Sequence, residues 1–430
     1  MEDHNDEDGQ NEAVQSRVCL PGDVQQIILA FLPGRTLLKF SSVCKFWRDS
    51  IKEPAFVDLH LDNALRFHQS IACFTSVDNG LIQMYMFDPT TVNFKRTEPV
   101  FSSRFHMSEP CNGMMCAYDL KGGAEVLNPT TRKHLTLPES ESVPQAPYSE
   151  YFLGYVHSTK KYKVVALRHW VRHLTFEVCT IDSLSWRTVY KSEELLKTTK
   201  AVVVNGEMHW LVLDDESSHF TQRVLSFNLA DEEFSYLDVP NSVRERDLEL
   251  FKGEGRLYLL SMPCNGAQYT ESEIWLADPA QLLWFHMYNV TPRPAFGTKP
   301  FFLYKSKLFF GDQRRFMYID LLDGRVCYID VPSGENIISS GMFVESFVPT
   351  ETDLVNSMTL LNGSHHAGSS SRGSGPSCAA GSSSTGPRRS SGVSKWSSAV
   401  VQSPRRAKRT TDMVWKMYTE STSHLIQHGL

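Results

Sequence analysis

No run in the 430-residue chain approaches the ~18 consecutive apolar residues of a membrane-spanning helix. The first residues, MEDHNDEDGQNE, are acidic where a secretory leader would be basic and then apolar. Both absences predict a soluble intracellular protein, placed in the nucleus, the cytoplasm or both, with no membrane partner. A basic surplus is also missing: 43 Lys+Arg stand against 49 Asp+Glu, a formal net charge of −6, so no global field draws the chain onto nucleic acid. Nine cysteines, an odd number without regular spacing, make no disulfide framework. The tightest pair, Cys111 and Cys116, lacks the second Cys/His pair of a zinc site, so no metal is expected. Nor does the chain contain a P-loop, a Gly-x-Gly-x-x-Gly after a strand, a His-Glu-x-x-His or a nucleophile elbow. Neither catalysis nor a cofactor is expected.

What is present begins at Leu20, with LPGDVQQIILAFLPGRTLLKFSSVCKFWRDSI. Val24, Ile27, Ile28, Phe31 and Leu32 fall on one face of a helix that Pro33-Gly34 stops. Thr36 is expected to cap a second helical stretch in which Leu37, Phe40, Cys44, Trp47 and Ile51 share a face, closed by Pro54. A unit this small sits near the ~40-residue limit for folding alone. Its surplus stripe either docks on the domain that follows or serves another protein.

Residue identity narrows the choice. Leu20-Pro21, Ile27-Ile28, Leu32-Pro33, Leu37-Leu38, Val43-Cys44-Lys45, Trp47-Arg48 and Pro54-Ala55-Phe56 together resemble the F-box from end to end, over residues 18–62 after a disordered acidic 1–17. One departure is Gly22, where an acidic or polar residue is more usual, and which could loosen the first helical turn. The resemblance implies docking on the Skp-type adaptor of an SCF ubiquitin ligase, and through it on cullin and a RING protein. The positions it assigns to the adaptor are Leu20, Pro21, Ile28, Leu32, Leu38, Val43, Cys44 and Trp47, some of which must face inward.

From 69 to 348 the chain repeats one figure six times: an apolar strand, an Asn or Asp turn, and a second strand. Its anchors, Asp88, Asn128, Asp182, Asn228, Asp278 and Asp320, recur roughly every 40 to 50 residues, the spacing of kelch and WD40 blades. Each figure follows another strand pair around its own turn, as in VVVNGEMHWLVL or KGEGRLYLLS, so two hairpins supply the four strands of a blade. An irregular β-sandwich pair is the alternative. A strict kelch repeat would show a Gly-Gly doublet at each inner turn, and only Gly122-Gly123 resembles one. Leu127-Asn128-Pro129-Thr130-Thr131-Arg132-Lys133, Ser185-Trp186-Arg187, Val204-Asn205-Gly206, His209-Trp210-Leu211 and Phe343-Val344-Glu345-Ser346 instead resemble the kelch-like F-box-associated domain of plant F-box proteins.

The expected fold is thus α+β multidomain: a small all-α F-box, an all-β kelch-like propeller of about six blades, and a disordered tail. His209 reads as a blade histidine, and Gly253 and Gly255 as a hairpin turn. The adjacent acids Glu193-Glu194 and Asp214-Asp215-Glu216 read as solvated loop residues. The longer loops, 139–150, 214–222, 241–247 and 264–272, are the expected recognition surface for a protein substrate. Residues 362–410 are a Gly/Ser-rich linker ending in PRRAKR at 404–409, which could act in nuclear import, and 411–430 carry no functional reading. The implied function is that of a non-catalytic substrate receptor. A scaffold outside the ligase, or a propeller that binds carbohydrate or acts as an enzyme, are the alternatives.

Overall fold

The computed structural model describes residues 20–350 except 78–80, 90–93, 98–100, 103–105, 120–121, 142–147, 171–172, 193–194, 197–199, 215–220, 245, 264–270, 291–298, 312–315 and 330–335. The acidic N-terminus, the Gly/Ser-rich segment, the basic cluster and the last twenty residues therefore lie outside the described residues, as do Glu193-Glu194, half of the 139–150 loop and most of the 214–222 and 264–272 loops.

Four short helices come first: α1 (Gly22–Ala30), α2 (Gly34–Phe40), α3 (Lys45–Ser50) and α4 (Pro54–Phe67). The single second stretch expected from Thr36 is two helices. Pro33, extended and just outside α2, starts that helix by accepting the N–H groups of Thr36 and Leu37 on its carbonyl, so Thr36 lies inside it. A turn at 41–44 then breaks the run, and Cys44 caps α3 by taking the Trp47 N–H on its sulfur at 3.4 Å.

The rest is a ring of six blades. Blade 2 is His106–Met107, Met115–Tyr118, Ala124–Asn128 and Lys133–Thr136, and blade 3 is Tyr148–Val156, Lys161–His169, Leu174–Thr180 and Ser185–Ser192. Blade 4 runs from Leu195 to Asp238. Blade 5 is Asp247–Gly253, Arg256–Met262, Ser272–Asp278 and Leu283–Val290, and blade 6 is Lys299–Tyr304, Lys307–Gly311, Phe316–Asp320 and Val326–Ile329. Blade 1 takes Ser70–Val77, Leu81–Phe87, Phe94–Arg96 and the short Phe101–Ser102 from the start of the ring and its remaining strand, Asn336–Phe343, from the end, zipped antiparallel to Ser70–Val77. That pairing shuts the ring and leaves no open sheet end at the join.

The outer hairpins explain why the repeat is anchored on Asn or Asp. The Asn128 carboxamide oxygen accepts the N–H of Thr130 at 2.9 Å, Asn228 that of Ala230 at 2.8 Å, and Asp320 that of Leu322 at 3.0 Å. Four residues after each anchor the backbone turns left-handed, at Arg132, Glu232, Leu282 and Gly324. Blade 3 departs from the expected anchor: its left-handed residue is Leu184, which places Thr180, not Asp182, at the anchor position. Asp182 instead pairs with Lys161 at 2.9 Å. The inner turns are tighter, with Asn112-Gly113, Asn205-Gly206 and Glu254-Gly255 all at positive φ, the requirement of two-residue hairpins.

The core is a ring of six apolar clusters, one at each junction between neighbouring blades. Between blades 3 and 4, Trp210 meets Phe152 and Phe176 edge-on at 5.7 and 5.5 Å. At the junction of blades 5 and 6 the first strands pair in parallel, Gly253 opposite Leu303. A Cβ on Gly253 would lie 2.6 Å from the Leu303 Cβ, so only glycine admits that approach.

Candidate functional site

The cluster between blades 2 and 3 does not stop at the ring. It continues through Phe347 and Val348 into Leu29, Ala30, Leu37, Ile51, Phe56 and Val57 of the helices. One apolar stripe is therefore consumed by docking. Polar contacts fix the same joint: Arg35 donates its backbone N–H to Glu345 at 2.8 Å and pairs its guanidinium with that carboxylate at 2.7 Å. The Glu345 Cβ stands 2.8 Å from where a side chain on Gly34 would begin. His60 lies edge-on to Phe347 at 5.2 Å and bonds the Leu32 carbonyl at 3.0 Å; burial pushes its pKa down, which keeps the ring neutral.

The other stripe meets water. Val43 is 63% exposed and Ile28 50%, and Leu20, Ile27, Phe31, Leu38 and Phe46 are exposed beside them, with Phe67 further along on α4. Pro21 and Cys44 are also on the surface. Of the eight residues assigned to the adaptor from sequence, six share this surface, while Leu32 and Trp47 are half-buried against the core. Trp47 donates its indole N–H to Gln25 at 2.8 Å, tying α3 to α1. Gly22 opens α1 and lets the Phe46 ring lie against it, since a Cβ there would sit 3.1 Å from the ring. Phe46 was not singled out in the sequence because it falls off the face shared by Leu37, Phe40, Cys44, Trp47 and Ile51; its contact with Gly22 crosses from α3 to α1. A set of exposed large apolar side chains on so few residues is far beyond scattered surface leucines and marks an interface.

Alternating strand direction sorts the loops of the ring into two ends. First-to-second and third-to-fourth connections leave one end, and second-to-third and blade-to-blade connections leave the other. The helices sit at the first end, where Gly34 meets Thr130 of the blade 2 outer turn, Lys160 of the blade 3 inner turn pairs with Asp58 at 2.6 Å, and Ser346 bonds the Asn112 carbonyl at 2.7 Å. All four long loops are of the second kind and leave the opposite end. Residues 241–243 form a 3-10 turn with Val243 buried, and Gln222 holds the Arg246 carbonyl at 2.9 Å, so this connection is packed against blade 4.

At the root of the 139–150 loop lies a buried charge network that sequence reading missed. Arg168 donates to Glu177 at 3.0 Å, to Ser149 at 3.0 Å and to the Tyr151 hydroxyl at 2.7 Å, and its guanidinium lies over the Tyr151 and Trp186 rings. Ser140 donates to the other Glu177 oxygen at 2.7 Å, fixing the loop's start to the third strand of blade 3. Beside it, Glu150 accepts the Tyr148 hydroxyl at 2.8 Å and faces His169 at 3.3 Å. The available signal was an Arg and a Glu at inward positions of otherwise apolar strands. His209 is indeed a blade residue, bonded to Ser226 at 2.7 Å, with its pKa pushed down to about 4 by burial. Gly255 closes the inner turn of blade 5 as expected.

Near the helices' end, the buried Glu109 carboxylate pairs with Lys200 at 3.0 Å and Lys252 at 2.9 Å, which hold its pKa below the usual range against its burial. A cleft of about 620 Å³ opens there between the end of α4 and the inner turns. Among the described residues no group of three or more His, Cys, Asp or Glu is gathered to hold a metal ion, and no helix is long and apolar enough to cross a membrane.

Comparison with known proteins agrees with this division. The family model described as the F-box associated beta propeller domain matches residues 61–300, and that of the F-box domain matches 18–58. Relatives in Arabidopsis thaliana include an F-box protein 26% identical over 61% of this chain and 66% of its own length, and an F-box/kelch-repeat protein 24% identical over 56% and 63%. The F-box protein DOR is 25% identical over 64% of this chain and 75% of its own length. The chain spans between 59 and 76% of the length of the curated relatives it matches.

Proposed function

Since the chain belongs to the plant-type F-box proteins that carry an F-box associated beta propeller, we propose that it is a substrate receptor of an SCF-type ubiquitin ligase. The exposed stripe of α1 to α3 holds a Skp-type adaptor, which connects it to cullin and a RING protein, and the far end of the ring holds a target protein. The observation that carries this reading is the division of the helical apolar surface. One stripe is spent on the ring, and a second, of comparable size, stays in water at the end opposite the long loops. Large apolar side chains gain roughly 1.5–3 kcal/mol each on full burial, so the free stripe has ample driving force for a partner.

On this reading the chain contributes no catalytic group. Its work is proximity: two partners held on one rigid body raise the effective concentration of a target lysine near the charged conjugating enzyme. The shared core and the Arg35 to Glu345 pair are what make the body rigid, and they convert two binding events into a fixed geometry.

The test is capture of a purified Skp-type adaptor by the full chain and by an Ile28→Asp, Val43→Asp variant. Capture by the wild type and its loss in the variant, with an unchanged melting temperature, is the expected result; no capture by the wild type overturns the proposal. Leu32 and Trp47 are unsuitable for this test because their replacement would disturb packing. Assembly of a complete complex with cullin and RING protein separates a ligase subunit from a scaffold acting outside it. Such a receptor works in the nucleus or cytoplasm, and a reporter fused to residues 404–409 that shows no nuclear enrichment removes the nuclear-import role of that cluster.

A further inference from the structure

Among the described residues, large apolar side chains are left exposed in only two places. One is the four-helix unit, with the stripe of α1 to α3 and Leu59, Leu65 and Phe67 of α4. The other is the outer rim of blades 5 and 6, where Leu282, Leu283, Phe285, Met287, Leu322 and Tyr328 face water. Four of the six lie in one run at the start of the outermost strand of blade 5, Leu283–Val290, with Leu282 64% and Phe285 46% exposed.

That strand is unusual among its counterparts. Among the described residues it pairs on one side only, with Ser272–Asp278, and forms the end of its sheet. Its other edge carries a row of backbone donors and acceptors, which natural proteins guard with charge or brevity. Blade 1 guards its outer strand with Lys95, blade 2 with Lys133, blade 3 with Arg187 and Lys191, and blade 4 with Asp238. The outer strand of blade 6 has no ionised residue but is four residues long. In blade 5 the strand is eight residues long, LWFHMYNV, and has none. Its inner side is firmly held: Trp284 donates to the Asp238 carbonyl of blade 4 at 2.8 Å, and His286 meets Trp275 edge-on at 5.1 Å. The register slips one residue opposite Trp275, so Met287 is an inserted residue and the regular edge is Leu283 to His286.

We propose that this edge binds an extended, uncharged peptide segment of a partner protein, which adds to blade 5 as a fifth strand. Alternate apolar side chains of the segment would lie beside Leu283 and Phe285 on the regular edge, while its backbone completes the ladder there. A charged side chain on the incoming segment would be desolvated against an apolar row that offers no counter-charge, so the neutrality of the edge selects a neutral occupant. A second copy of this chain fits less well. A regular edge of four residues covers about 13 by 10 Å, roughly 130 Å², about a sixth of what each partner buries in a stable dimer. The inference is independent of adaptor binding, which uses the other exposed surface.

The probe is a fluorescein-labelled heptapeptide in which threonine alternates with leucine, phenylalanine and methionine, titrated with the full chain and read by anisotropy. Saturable binding is expected, weakened about tenfold or more by Phe285→Lys or Leu283→Lys, both surface changes that leave adaptor capture intact. A copy of the peptide N-methylated at alternate residues, which cannot extend the ladder, should not bind. No saturation up to about 1 mM, or binding indifferent to the lysine variants or to N-methylation, overturns the proposal. Sedimentation that shows the wild type self-associating, and Phe285→Lys monomeric, overturns the choice of occupant in favour of a second copy.

Discussion

Replacing Ile28 by alanine and, in a separate protein, its neighbour Leu29 by alanine should divide binding from folding across one peptide bond. Ile28 is half exposed, so a partner that covers it removes about half of its surface from water. Half of the roughly 1.5–3 kcal/mol for burying such a side chain is about 1 kcal/mol, which is about a fivefold rise in the adaptor Kd. Folding stability should fall by at most about 1 kcal/mol, the share of the half that is already buried in the free protein. Leu29 is 3% exposed in the cluster shared with the ring. Its truncation leaves a cavity that costs about 2–5 kcal/mol of stability. Adaptor titration by calorimetry, alongside thermal melting of each variant, measures both quantities. An Ile28→Ala protein with unchanged Kd, or a Leu29→Ala protein that melts with the wild type, would refute the assignment of the two stripes.

Other expectations follow from the ring. Gly253→Ala would push a methyl group to within 2.6 Å of the Leu303 Cβ and should cost about 1–3 kcal/mol by urea unfolding; no change would mean that blades 5 and 6 can separate freely. Arg168→Met strands the Glu177 carboxylate, which is fully buried, and should cost about 3–5 kcal/mol, while adding Glu177→Gln should recover part of it. A single variant as stable as the wild type would remove the network from the account of the loop root. His209 has a folded pKa of about 4 against 6.5 for the free side chain. The unfolded chain therefore binds the extra proton first, and its contribution of about 3 kcal/mol, intact above pH 6.5, is lost as the pH falls toward 4. His209→Gln should flatten the stability profile over that window, and an unchanged profile would count against a buried neutral imidazole.

Much of the ring was legible because its turns have chemical requirements. An anchor that caps its own turn must carry a short side-chain acceptor, which is why Asn128, Asn228, Asp278 and Asp320 could be read from sequence. Thr180 makes its turn with backbone bonds, so the nearest acid, Asp182, took its place in the reading. The strand Asn336–Phe343 left no local trace of its place in blade 1, because that place is set by pairing with Ser70–Val77 at the other end of the ring. On the helices, periodicity found both apolar stripes but could not rank their faces. Leu32 and Ile28 both match the F-box pattern, yet only the docking of the helices on Phe347 and Val348 turns one inward and leaves the other out. Arg168 and Glu177 were missed because a buried pair is visible only when both strands are in place.

The strand that shuts the ring has a consequence in time. Synthesis delivers the helices first and Asn336–Phe343 last, and at roughly 5–20 residues per second the wait between them is on the order of tens of seconds. The residues that follow that strand, Glu345 to Val348, are the ones that seat the helices and receive the Asn128 carboxamide. A nascent chain therefore cannot present its helices on a rigid base before the ring is shut. A chain cut short inside blade 6 would lack Glu345 to Val348 and so have no seat for its helices.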